Sequence, residues 1–374
     1  MAAEAQAGNN TLRDLRKRLG QHQEIYFWLF ILPLECIMSM GLQSHDRPYQ
    51  IVFAVALVFW TLKMLTTDFT IREIVWMSLI SLLLGINFLG NHEKTLILTA
   101  MGVFSAKNVS LDKTFKWAFW LKLAATIGTI SLAAAGIIDN PPISLPKYGV
   151  YVELYGYGYG HPNSTFGNIF FILTLAILAY KDKLRWYIYL IFTMITLAAY
   201  QILVCRTGLV VWLFLLIVLL GYKLSQKWKF ERIFLSIFCL LPILFAALIC
   251  IFTVVAIINP ASIIWMNSLL TGRVGLIIHG LGDMGNILFG QIPKQLYDNL
   301  NFYLLYNYGI IILLFSLFAH TYSIWRCYKL GKDYEVMILG TLAVYGFMES
   351  IVMSIAWNLS LLCLSRILFK EQDV

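Results

Sequence analysis

Gly158-Tyr159-Gly160-His161-Pro162-Asn163 brings a titratable ring to the start of a long apolar run, and Arg206, Arg273 and Asp298 flank later runs. Glycine and proline interrupt a spanning helix, so this stretch reads as irregular backbone at a helix mouth, where polar groups stay wet. The imidazole of His161 can take or give a proton near neutral pH, and the bare amides of a helix start favour an anion. Arginine stays charged and presents a planar fork of donors, which suits phosphate or pyrophosphate better than lysine does. Asp298, followed by Asn299, supplies a carboxylate able to act as a base. Together these types suit a negatively charged substrate and, at the membrane interface, a lipid pyrophosphate.

Each of them has a plainer explanation. His161-Pro162-Asn163 can be a simple helix start with Asn163 as its cap, and Asp298-Asn299 can cap another. Arg206 and Arg273 can snorkel to lipid headgroups. Tyr148, Tyr151, Tyr155, Tyr157 and Tyr159 can form an interfacial belt, or stack on the C–H faces of sugars. Tyr303 and Gly309 follow Asn299 into an apolar run; His279 and Asp283 are weaker candidates in the preceding loop. Glu349 lies between two late apolar runs, where an unpaired carboxylate is costly, so it is expected to pair with an outer arginine or to contact substrate.

The elements that position these residues follow from composition. Of 374 residues 60% are hydrophobic and only 13% charged, and mean hydropathy is +0.75, which excludes an ordinary soluble domain. The pattern predicts an all-α, polytopic integral membrane protein, with spans near 25–42, 49–66, 74–90, 94–107, 117–138, 163–180, 185–204, 207–223, 233–257, 301–323, 335–349 and 353–369. The fourth and the last two are short, so about 10–12 transmembrane helices are expected. The runs are too long for barrel strands.

The basic residues of 13–18, 63, 72, 107–116, 181–185, 223–232 and 326–332, with Lys370, fall on alternate loops together with the N-terminus, which makes that face cytoplasmic. Arg47, Lys94, Lys147, Arg206, Arg273 and Lys294 fall on the other. The expected plan is a basic cytoplasmic tail over 1–24 and one transmembrane domain over 25–374, with larger outer loops at about 139–162 and 258–300. The tail lacks a cleavage pattern, so the first helix is expected to remain as an anchor. A net charge of +8 is explained by orientation rather than by nucleic acid. The six cysteines lack paired spacing and read as packing residues. No Gly-rich cradle with a following lysine is present for ATP, and no metal-ligand spacing is visible, so no cofactor is expected and turnover should survive chelator.

Gly-Tyr-Gly-His-Pro-Asn at 158–163, Arg206-Thr207-Gly208, Thr271-Gly272-Arg273, Leu288-Phe289-Gly290 and Asp298-Asn299 with Gly309, followed by Glu349 and Asn358, resemble in order and spacing the Wzy-type repeat-unit polymerases of bacterial surface polysaccharides. His-Pro-Asn points within that resemblance to the Gram-positive capsule and exopolysaccharide branch. The resemblance covers about 25–368. It implies a plasma-membrane glycosyltransferase that joins oligosaccharide units carried on undecaprenyl pyrophosphate, at the outer face, alongside a flippase and a chain-length regulator, without sugar nucleotides. On this reading Arg206 and Arg273 stabilise the leaving pyrophosphate, and Asp298 or His161 is the base. Gly160, Asn163, Tyr155, Tyr159, Asn299, Tyr303 and Glu349 contact substrate. Related ligases carry a histidine where this chain has Asp298, which favours a polymerase. The alternatives are a ligase moving finished glycan, a transporter or flippase, which would concentrate charges and broken helices at mid-membrane, and a scaffold without activity of its own.

Overall fold

The computed structural model describes residues 19–147, 150–270, 272–292 and 297–369. The protein is all-α and polytopic: among the described residues, eight helices are long and apolar enough to cross a bilayer. Hydrocarbon offers no partner to a backbone N–H or C=O, so each crossing segment must close its own hydrogen bonds. The first five helices are α1 (Gln23–Ser39), α2 (Arg47–Thr66), α3 (Ile71–Asn91), α4 (Thr95–Ser105) and α5 (Leu111–Ala134). Thr70 and Glu73 start α3 with a capping box: the Thr70 hydroxyl accepts the Glu73 N–H, and the Glu73 carboxylate accepts the Thr70 N–H at 2.7 Å. At 11 residues α4 is about 16 Å long, half the hydrocarbon thickness.

A hairpin of β1 (Ile143–Lys147) and β2 (Val150–Leu154) follows. The loop expected at 139–162 is thus partly a ladder, pairing Ser144 with Glu153 and Leu145 with Val152, which satisfies backbone groups that a free loop would leave to water.

Next come α6 (Pro162–Tyr180), α7 (Trp186–Leu203) and α8 (Arg206–Lys227). Of the spanning stretch of α6, 78% is buried, against 22% for α2, α3 and α7, so α6 is the central post of the bundle. Its sequence accounts for this, since Phe166 to Ala179 is apolar apart from Asn168 and Thr174, both buried and hydrogen-bonded, and so has no polar face to turn outward. α9 (Glu231–Ser236) and α10 (Leu241–Ile258) are joined by the 3-10 turn Ile237–Leu240. Where a long outer loop is expected at 258–300, α11 (Ser262–Leu270) and α12 (Arg273–Gly282) form.

α13 (Leu300–Lys329) breaks at Gly309, whose φ of 81° and ψ of 173° are not helical. The chain at 287–291 fills the break: Ile310 N–H donates to Ile287 O at 2.8 Å and Gln291 N–H to Tyr306 O at 3.0 Å. Asn87 of α3 donates to both Phe289 O and Tyr308 O, at 2.8 and 2.6 Å. A Cβ on Gly309 would stand 2.2 Å from Leu288 O, so only glycine lets the two backbones meet.

α14 (Asp333–Met348) is followed by the 3-10 turns Ser350–Met353 and Leu359–Leu364 and by α15 (Ser365–Leu368). The twelfth span expected at 353–369 is therefore not a continuous helix. Asn358 donates to Val352 O at 2.9 Å and accepts from the Ser360 hydroxyl, and the stretch is buried by its neighbours. Non-helical backbone is tolerated at membrane depth only under such cover.

Contacts define two ends of the bundle. At one, Lys107 pairs with Glu73 at 2.6 Å and Lys181 with Asp112 at 3.1 Å. At the other, Gly41 abuts Gly158 and Asn91 donates to Asn307 O at 2.6 Å. Between them, with both side chains fully buried, Lys122 of α5 pairs with Glu35 of α1 at 2.8 Å.

Candidate functional site

The Gly-rich segment is built from backbone that side chains resist. Tyr157, Gly158 and Gly160 have φ of 47°, 89° and 71°, three left-handed turns in four residues. Gly158 packs where a Cβ would lie 2.6 Å from Thr129, and its carbonyl fills the space that a Cβ on Gly41 would take. Tyr159 is the peg of this loop: its hydroxyl donates to Ser39 O and accepts from Asn168 Nδ2 at 2.9 Å. With 5% exposure it offers no platform to a sugar. Burial pushes its phenol up to about 12. The adjacent Tyr155 is open, with its ring 6.3 Å from that of Tyr157. Tyr151 on β2 is 79% exposed, and Tyr148 lies outside the described residues.

The loop delivers His161 as the cap of α6. Its Nδ1 accepts the Asn163 N–H at 3.1 Å, so His161, not Asn163, caps this helix. A neutral ring accepting at Nδ1 carries its proton on Nε2. Asn163, released from capping, donates from Nδ2 to Glu349 Oε1 at 3.1 Å.

Glu349 follows α14 in extended backbone and meets Arg273, the first residue of α12, which follows Gly272 at φ 84°. Arg273 is 4% exposed and widely engaged. It donates from Nε to Met348 O at 2.7 Å, from one terminal nitrogen to Leu270 O at 3.2 Å, and from the other to Glu349 Oε1 at 2.7 Å. The same nitrogen lies 3.5 Å from Asp298 Oδ2, and the Asp298 side chain is 43% exposed. His161, Asn163, Arg273, Asp298 and Glu349, from four separated parts of the chain, therefore form one chain of contacts at the end of the bundle opposite the basic loops.

Arg206 opens α8 at this end, after Val204 at φ 49°. The start of α8 is held against α6 by Gly208, whose missing side chain leaves room for the Phe166 ring. Beneath the cluster, Tyr345 lies within electrostatic reach of Glu349, Arg273 and Cys205. Tyr345 is absent from the sequence-derived candidates; it sits one turn before the end of α14, where its carbonyl accepts the Glu349 N–H at 2.8 Å.

Other candidates stand apart. Asn299 is 2% exposed and uses both ends of its amide, accepting the Phe302 N–H at 2.9 Å and donating to Phe347 O at 2.7 Å. It caps α13 in the position also considered for Asp298. Tyr303 packs its ring 6.0 Å from Tyr308. His279 and Asp283 form an exposed pair at 3.9 Å on α12 and its end. Gly160 meets nothing within 4 Å of where a Cβ would stand, so the backbone before His161 is open. Thr271 and Lys294 lie outside the described residues.

The arrangement separates charge. One guanidinium is shared by two carboxylates, which leaves that side net negative, while Arg206 and the amino end of α8 are positive. Such a site can take a proton from a hydroxyl on one side and receive an anionic leaving group on the other. Comparison with protein-family models, curated proteins and solved structures finds no match to this chain.

Proposed function

We propose that this protein polymerises lipid-pyrophosphate-linked oligosaccharide units by glycosyl transfer at the outer face of a plasma membrane, the end of the bundle that carries Arg273. The observation that carries the reading is the clasp of Arg273 on Asp298 and Glu349 beside the capped start of α6. Arg273 spends its donors on protein acceptors, so its part is to hold the two carboxylates in place. Arg206, with the positive amino end of α8, takes the leaving pyrophosphate. Asp298, the exposed carboxylate, is the base that accepts the proton of the attacking sugar hydroxyl. His161 is less suited, because taking a proton at Nδ1 would break its cap. Tyr155 offers exposed aromatic area for a sugar ring, backed by the half-buried Tyr157. The bias of basic residues supports a cytoplasmic N-terminus and an outward-facing site.

The test is to incubate the purified protein in lipid with a defined undecaprenyl-pyrophosphate repeat unit and resolve the glycan by size. A ladder of whole repeats is expected, reduced on the order of 10²- to 10⁴-fold in Asp298→Asn and largely retained in His161→Asn. A full ladder in Asp298→Asn rejects the base; no ladder from folded protein given its native repeat rejects polymerisation.

A further inference from the structure

A cavity of about 370 Å³ opens between α3, α4 and the second half of α13, with its mouth at the basic end of the bundle. Arg72, Trp76, Ile80 and Leu84 line one wall at four-residue steps, a continuous stripe on one face of α3 that is about 18 Å long. That is over half the depth of the hydrocarbon core, which is about 30 Å. Ala100 lines the opposite side. At the rim Trp76 and Phe318 are 49% and 62% exposed, so the cavity opens sideways into the bilayer.

Two of the polar groups inside, on Thr99 and His320, already have partners. The Thr99 hydroxyl donates to Met353 O at 2.9 Å, and His320 Nε2 meets Leu339 O at 2.9 Å. Water would find few free partners there, and an apolar crevice at membrane depth fills with hydrocarbon. The mouth differs. Lys107 is committed to Glu73 at 2.6 Å, which neutralises that carboxylate. Arg72 beside it is exposed and has no ion pair or hydrogen bond among the described residues. Trp76, one turn deeper, stands where indoles meet headgroups.

We propose that this groove is a binding site for one anionic glycerophospholipid of the leaflet at the basic face, an acyl chain filling the cavity and the phosphate resting on Arg72. The cation selects the anionic headgroup, and the stripe on α3 sets the length of chain that is sheltered. The site lies at the other end of the bundle from Arg273, and lipid retention is read without any glycan, so it stands or falls apart from the proposed activity.

The experiment is to purify the full chain in mild detergent, measure bound lipid by native mass spectrometry, and identify it after extraction. One anionic phospholipid per chain is expected. Ala100→Trp, which puts an indole into the cavity, should lower retention about tenfold or more. Arg72→Gln, an exposed change, should keep lipid but erase the preference for phosphatidylglycerol over phosphatidylcholine when delipidated protein is titrated with each. A polyisoprenoid in place of the phospholipid, undiminished retention in folded Ala100→Trp, or unchanged preference in Arg72→Gln would each overturn the proposal. If Ala100→Trp does not fold, the Arg72→Gln titration decides alone.

Discussion

Arg206 and Arg273 look equivalent in the sequence, each opening a helix near an apolar run, yet their surroundings give them different work. Arg273 is buried between carboxylates, and removing one partner of such a set leaves the other charges unpaired at a cost of about 3–5 kcal/mol. Arg273→Ala is therefore expected to lower the thermal midpoint of the purified protein as well as its activity. Arg206 is half-exposed at the start of α8. Arg206→Ala should leave the midpoint within a few degrees and reduce turnover by about 10²- to 10³-fold, the usual size of one lost anion-stabilising donor. Equal loss of stability in both variants would dismiss this division of labour. The sequence carried part of it: an unpaired Glu349 was too costly to leave alone, so an arginine partner could be foreseen. Which arginine, and the second bond from Asn163, depend on where α12 folds back against α14, and no local spacing encodes that.

At the scale of elements, the least expected feature is the ion pair that ties α1 to α5. Lys122 stands out in the sequence as a charge at mid-span, whereas Glu35, inside the first expected span at 25–42, is not singled out. The pair is also joined to the loop that leads to the site. Lys122 also donates to the Ser39 hydroxyl at 3.1 Å, and Ser39 O receives the Tyr159 hydroxyl that pegs the loop leading to His161. Lys122→Met should destabilise the protein by about 3–5 kcal/mol, while Glu35→Leu with Lys122→Met should recover most of that, since a well-packed apolar pair is close to neutral. Thermal unfolding of the single and double variants separates these outcomes, and a double variant no better than the single would show that the pair matters for more than its own charge. Helix identity and order were legible because apolar runs of spanning length have few other solutions. The stretch at 353–369 misled for the same reason: its length fits a span, but Asn358 and Ser360 bond to the local chain, and burial rather than hydrogen-bonded helix makes it stable at depth. The threading of 287–291 through the break at Gly309 was also out of reach, since glycine alone states that two backbones can meet but not which two.

For the whole molecule, every part of the reading depends on which end faces the cytoplasm. Loops with Lys107, Lys113, Lys181, Lys223, Lys227 and Arg326 gather at one end, and translocating that much positive charge is disfavoured. The end with Arg273 carries the β-hairpin, α11 and α12, the bulkier connections. An accessibility measurement decides the matter, and the native thiols interfere little. Cys205, Cys327 and Cys363 are buried, Cys36 and Cys239 are half-buried, and Cys250 lies in the middle of α10 at hydrocarbon depth, where a charged, membrane-impermeant reagent does not reach. A cysteine at Tyr151→Cys, on the exposed hairpin, should react with a membrane-impermeant maleimide in intact cells. One at Lys227→Cys, at the end of α8, should react only after permeabilisation. The reverse pattern would turn the Arg273 cluster toward the cytoplasm, where lipid-linked units already moved outward are out of reach, and the proposed polymerisation would lose its substrate even with each side chain in its place.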